Sequence, residues 1–254
     1  MTKSQMNWRL RKQIVYGLII FLIFFLISFF IFLKIRGPVI ATCFDGKKNQ
    51  GEEGIDCGGP CPPCEIKYTE PLKIYPTKYL VYSNSIDIVG LLENPNKNLA
   101  LKKIKYYFEI YDFNGILKAT TTLKETTLEP ETKKYLLEIN HPTPKFTLGE
   151  IKLKIIEPQA EDFIKKEKEE IPISYYNEKI ISENGKWKIQ LSLFNKSFQK
   201  EDIEVISLVY NQNKNLIAVG KTKVFLNPQE VKDIFIFLPE LLTEPAGLEI
   251  NIQK

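Results

Sequence analysis

Four cysteines, Cys43, Cys57, Cys61 and Cys64, are the residues of this 254-residue chain with the most chemistry to offer, and they fall in one short stretch, ATCFDGKKNQGEEGIDCGGPCPPCEIK. Thiols so placed can bind zinc, cycle as a redox dithiol or close disulfides. As a zinc site the spacing Cys43-x13-Cys57-x3-Cys61-x2-Cys64 lacks the paired C-x-x-C knuckles of a ribbon. As a redox centre Cys61-Pro62-Pro63-Cys64 lacks βαβ surroundings, and the proline after Cys61 removes an amide that could stabilise a thiolate. Between the cysteines lie oxygen-bearing side chains interleaved with glycines. Asp45, Asn49, Glu52 and Asp56 are the candidate ligands of a hard cation, calcium being the one such a loop suits.

The cysteine chemistry depends on compartment, and the preceding residues bear on that. Residues Ile14 to Leu33 carry no charge over about 20 positions, the length that crosses a bilayer core of about 30 Å as a helix. Lys3, Arg9, Arg11 and Lys12 precede the run without an acidic residue, while Lys34 and Arg36 follow it, a bias that favours a cytoplasmic N-terminus. The run is longer than a signal-peptide core and no small-residue cleavage site follows Leu33 directly, so an uncleaved anchor is expected. Outside the reducing cytosol disulfides persist, and four cysteines suit two bridges in any of three connectivities.

The stretch resembles a short motif, C-x-DG-x-x-N-x-G-E-x-G-x-DCGG-x-C-x-x-C, that recurs beside membrane anchors in bacterial and archaeal surface proteins. The resemblance runs through Asp45, Gly46, Asn49, Gly51, Glu52, Gly54, Asp56, Gly58 and Gly59 as well as the four cysteines. It is also similar to the calcium loops of thrombospondin type 3 repeats, without their regular D-x-D-x-D-G.

Beyond Cys64 short β-branched and apolar runs alternate with turn residues, and Asn114-Gly115 between two such runs is a strong hairpin signal. The pattern predicts an all-β sandwich. The second half then repeats the first at a spacing of roughly 100 residues: DIVGLLENPNKN aligns with KIQLSLFNKSFQ, IKYYFEIYDFNGILKAT with IEVISLVYNQNKNLIAV, and LEPETKKYLLEI with LNPQEVKDIFIF. The expected order is a cytoplasmic stub (1–13), a transmembrane helix (14–33), a small disulfide-rich knot (41–66), a first β-sandwich (70–157), a charged linker (158–172) and a second β-sandwich (173–254). The string Phe108-Glu109-Ile110-Tyr111-Asp112, with Asn94 before it and Leu128-Glu129-Pro130-Glu131 after it, resembles the FxLYD family of extracellular domains. That resemblance implies two tandem immunoglobulin-like sandwiches, with Glu131 standing where the family has a loop glycine. The second copy keeps Tyr210 and loses the phenylalanine and the aspartate.

Catalytic devices built on histidine have one residue to draw on, His141, placed before a proline. Nucleophile-elbow, zincin, Walker and dinucleotide patterns are absent from the sequence. The net charge of +4 derives partly from the N-terminal stub, and the remaining lysines are spread among acids, which gives no stripe for nucleic acid. No catalytic residue and no organic cofactor are assigned. The expected function is that of a non-enzymatic cell-surface protein, anchored in the lipid bilayer through residues 14–33, that binds or spaces an envelope or surface protein or a glycan. The alternative is an accessory or sensor subunit of a membrane enzyme or secretion complex.

Overall fold

The computed structural model describes residues 8–35, 43–241 and 243–254. Residues 1–7 of the expected stub, and residues 41–42 at the start of the expected knot, lie outside the described residues. The chain forms two compact units, one ending at Cys61 and one running from Pro62 to Lys254.

In the first unit, helix α1 spans Trp8–Ile35. It contains no proline and one glycine, Gly17, so nothing interrupts its hydrogen-bond ladder. The 22 residues Arg11–Phe32 are long and apolar enough to cross a membrane, and none of that stretch is buried in the protein. At about 1.5 Å per residue they span roughly 33 Å. A helix apolar all round has no face to turn toward water.

The second unit is built from β-strands. Strands β1 (Lys73–Ile74), β2 (Lys78–Val81), β3 (Ser85–Asn94) and β7 (Thr132–Pro142) form one antiparallel sheet, with β3 paired to all three others. Strands β4 (Leu99–Asp112), β5 (Leu117–Thr120), β6 (Lys124–Leu128), β8 (Leu148–Ile156) and β9 (Phe163–Lys165) form the second, around β4. Period-two alternation turns Tyr106, Phe108 and Ile110 of β4 inward, where they meet Ile86, Ile88 and Leu92 of β3 in one core. Gly115 takes φ +76° in the turn between β4 and β5, as the Asn-Gly signal predicts. The carboxylate of Asp112 accepts the N–H groups of Asn114 and Ile116 there, at 3.0 and 2.9 Å.

A second pair of sheets follows. Strands β10 (Ile173–Glu183), β11 (Lys186–Asn195) and β14 (Val231–Phe237) make one, and β12 (Glu201–Tyr210), β13 (Leu216–Leu226) and β15 (Gly247–Gln253) the other. Ile189, Leu191 and Leu193 face Ile203, Val205 and Val209 across a separate core. The stretch 158–172, read from its charge as a linker, holds β9, which pairs with Leu99–Leu101 of β4. Phe163 packs on the first core, and Lys166 reaches Glu129 at 2.9 Å. Two adjacent apolar residues, Phe163 and Ile164, suffice to return a short strand to the sheet in the midst of charges.

Candidate functional site

The cysteine loop holds its shape with almost no core. Cys43 and Cys61 are bridged, with Cα atoms 5.5 Å apart, and Cys57 and Cys64 are also disulfide-bonded, so no described cysteine is free. Gly59 takes φ +60°, and a Cβ on it would lie 2.2 Å from the carbonyl oxygen of Gly51, a backbone atom that cannot swing away. That contact is the physical content of the Cys-Gly-Gly sequence.

Of the four candidate cation ligands, Asp45, Glu52 and Asp56 accept hydrogen bonds from loop amides, and Asn49 donates its side-chain amide to Asp45. Asp56 accepts the N–H groups of Asp45 and Gly46, each at 3.0 Å. Asp45 accepts the N–H of Lys47 at 2.9 Å and the side-chain amide of Asn49 at 2.8 Å. Glu52, buried, accepts the N–H groups of Asn49 and Asp56 at 3.2 and 3.3 Å, and its other oxygen lies 3.3 Å from the Cys61 sulfur. These carboxylates substitute for the sheet and helix partners that the loop backbone lacks. Among the described residues no group of three or more His, Cys, Asp or Glu side chains is arranged to hold a metal ion. His141 lies in strand β7, with its backbone opposite Ile86.

A second site, not anticipated from sequence, is the junction between the two sandwiches. The outer face of the β3–β7 sheet is covered by the outer face of the β12–β13–β15 sheet. Val89 and Leu137 from one side and Ile206, Leu208 and Val219 from the other form a buried cluster, flanked by Tyr135, Ile139, Tyr210 and Leu216. Polar bonds surround it. Gln253 accepts the N–H of Tyr135 at 3.1 Å and donates to the Tyr135 carbonyl at 3.0 Å. The Glu249 carboxylate accepts both tyrosine hydroxyls, Tyr135 at 2.8 Å and Tyr210 at 3.1 Å. Burial and then Glu249 raise both phenols, Tyr210 to about 12. Beside the cluster runs a groove of about 320 Å³ with Lys134, Lys223 and Glu204 among its walls. The Lys134 ammonium donates to the carbonyls of Thr127, at 3.0 Å, and Lys254, and burial lowers its pKa.

The sequence signal for this junction lies in β12. Val205 and Val209 face the core while Ile206 and Leu208 stand on the opposite side, so the strand is apolar on both faces and both must be covered.

No family model matches the chain, and no curated protein matches it. Among solved structures, a β-glucuronidase of glycoside hydrolase family 2 is similar over 63% of this chain at 9% identity, with a TM-score of 0.20. The chain spans 20% of that enzyme's length, and a likeness at this score says nothing about activity here.

Proposed function

We propose that this chain is a single-pass membrane protein with a cytoplasmic N-terminus, whose cysteine knot and two β-sandwiches stand outside the membrane. There they act without catalysis, binding or spacing components of the cell envelope. The observation that carries the reading is a membrane-length helix, α1, followed by four cysteines all in disulfide linkage, a state that persists in oxidising compartments. Protease added to intact spheroplasts should digest the sandwiches and spare α1. Full protection, with a known surface protein cleaved in the same sample, would reverse the orientation.

The sandwiches are proposed to be a tandem duplication of an immunoglobulin-like domain of FxLYD type. Three correspondences support this. Gly90 lies opposite Leu136 in the first, and at the aligned positions Leu191 lies opposite Ile234. The buried amide of Asn94 donates to the carbonyls of Leu99 and Glu129, as that of Asn195 does to those of Gln199 and Asn227. Glu131 and Gln229, aligned before β7 and β14, have φ of +49° and +57° and donate their N–H groups to the carbonyls of Asn96 and Ser197.

A further inference from the structure

The junction within the chain uses one kind of face from each sandwich, and among the described residues no other sheet covers the other member of each kind. The first sandwich contributes its β3–β7 face; the matching face of the second is that of β11 and β14. The second contributes its β12–β15 face; the matching face of the first is that of β4 and β8. These correspondences rest on the duplication proposed above.

Both open faces keep the character of a contact surface. On β14, Phe235 and Phe237 occupy the places of Leu137 and Ile139 on β7. Leu137 is 4% exposed at the junction, whereas Phe235 and Phe237 are 45% and 74% exposed. Val231 is also exposed on this strand. The Lys188 ammonium lies 4.9 Å from the Phe235 ring centre and Asp233 stands between Val231 and Phe235, so the face is an exposed apolar one with charges beside it, the kind a partner can cover. On β4, Tyr107, Glu109 and Tyr111 occupy the places of Ile206, Leu208 and Tyr210. Their face is held by a Tyr111 hydroxyl bonded to Glu109 at 2.6 Å and by Lys154, 3.6 Å from Glu109.

The charges at the corresponding polar contact are complementary. Within the chain Tyr135 donates to Glu249. The residue at the place of Tyr135 is Asp233, exposed on β14. The residue at the place of Glu249 is Lys152, because Lys152 lies opposite Glu109 as Glu249 lies opposite Leu208. Asp233 accepts the Ser192 hydroxyl at 2.6 Å and Lys152 lies 3.0 Å from Glu150, yet both are exposed, so a carboxylate–ammonium pair between chains can stand where the tyrosine–carboxylate bond stands inside the chain.

We infer that a second copy of this chain docks head to tail: the β11–β14 face of one copy covers the β4–β8 face of the next, with Phe235 and Phe237 against Tyr107 and Tyr111, and Asp233 against Lys152. The occupant is a copy of the same chain because this chain carries both halves of a junction it already makes once. The contact is heterologous and leaves the same two faces free at the ends, so it propagates into rows.

The test is zero-length carbodiimide crosslinking of full-length protein in membranes from cells expressing isotopically labelled and unlabelled chains together. A peptide joining Lys152 of one isotope to Asp233 of the other is expected. Asp233→Lys and Lys152→Asp should each reduce association of differently tagged copies at least tenfold, and mixing the two variants should restore it. Both residues are on the surface, and an unchanged melting temperature confirms that the variants fold. The inference is overturned if no such peptide forms while the Lys165–Glu65 pair, 2.7 Å apart within one chain, does crosslink. Crosslinks joining β14 to β14 would overturn it as well, since they indicate a symmetric dimer. Protease mapping decides the membrane orientation separately, so either reading can fail alone.

Discussion

Gln253 pairs with the backbone of Tyr135 in both directions, N–H to Oε1 at 3.1 Å and Nε2 to carbonyl at 3.0 Å, so a side chain of the last strand acts as a short strand against the first sandwich. With the apolar cluster beside it, this couples two cores that the repeat alone suggests are independent. Chains cut near Lys168 would expose Val89 and Leu137 on one piece and Ile206, Leu208 and Val219 on the other. The full chain in detergent is expected to melt in one transition. Leu208→Asp, which strands a charge in the cluster at a cost of about 3 kcal/mol or more, should split that transition in two. A single, merely shifted transition by calorimetry would show that the sandwiches do not melt separately.

Asp87 is buried on β3 and accepts the N–H of Asn140 at 2.8 Å, where β7 bulges. Burial raises its pKa, against the pull of that N–H. Because the folded value lies above the unfolded one, the carboxyl group favours the fold most at low pH. The contribution disappears as pH rises through the folded value. Asp87→Asn keeps an acceptor for Asn140 without the charge. It should raise the melting temperature by a few degrees at pH 7 and make no difference near pH 3.5; an equal gain at both would assign the effect elsewhere.

In the first core a Cβ on Gly90 would sit 3.0 Å from the Phe108 ring, while the second core has Leu191 and Ser207 at the aligned positions. Volume removed at one position is supplied at the other. Phe108→Ser should cost about 3–5 kcal/mol and Gly90→Leu should clash with the ring. The double variant should recover at least about 1 kcal/mol of their sum. Additive losses in denaturant unfolding would refute compensation.

Gly59→Ala forces a methyl group onto the Gly51 carbonyl and should leave free or scrambled thiols, detectable by alkylation and mass spectrometry. Since no group of three acidic side chains is arranged to hold a metal ion among the described residues, calcium at millimolar concentration is expected to produce no thermal shift and no heat on titration. A saturable heat lost in Asp56→Asn would instead make these groups ion ligands.

Much of this was legible in the residues because short-range physics decides it. The uninterrupted apolar run specifies α1, Asn114-Gly115 specifies its hairpin, and alternation along Ile104 to Ile110 sorts the faces of β4. What stayed hidden depends on distant partners. Asn94, between Glu93 and Pro95, does not announce its burial, and it is fully buried because Leu99, Glu129 and Asn96 satisfy its amide. Two apolar residues could not announce β9 without β4 beside them. Glu131 takes the left-handed backbone that favours glycine, with its N–H bonded to the Asn96 carbonyl. The acids of the cysteine loop read as ion ligands from composition, which does not reveal that loop amides also donate to them.

The Cys43–Cys61 bridge also determines how the chain bears tension. A pull applied between the residues before Cys43 and those after Cys64 passes directly through sulfur, bypassing the residues between Cys43 and Cys61, 18 apart in sequence. At about 3.3–3.6 Å per extended residue, the 18-residue separation amounts to roughly 60 Å of chain, available in full only when both disulfides are open. Stretching cannot release it, but a reductant that opens both disulfides can, so the redox state of its surroundings sets the length of this segment.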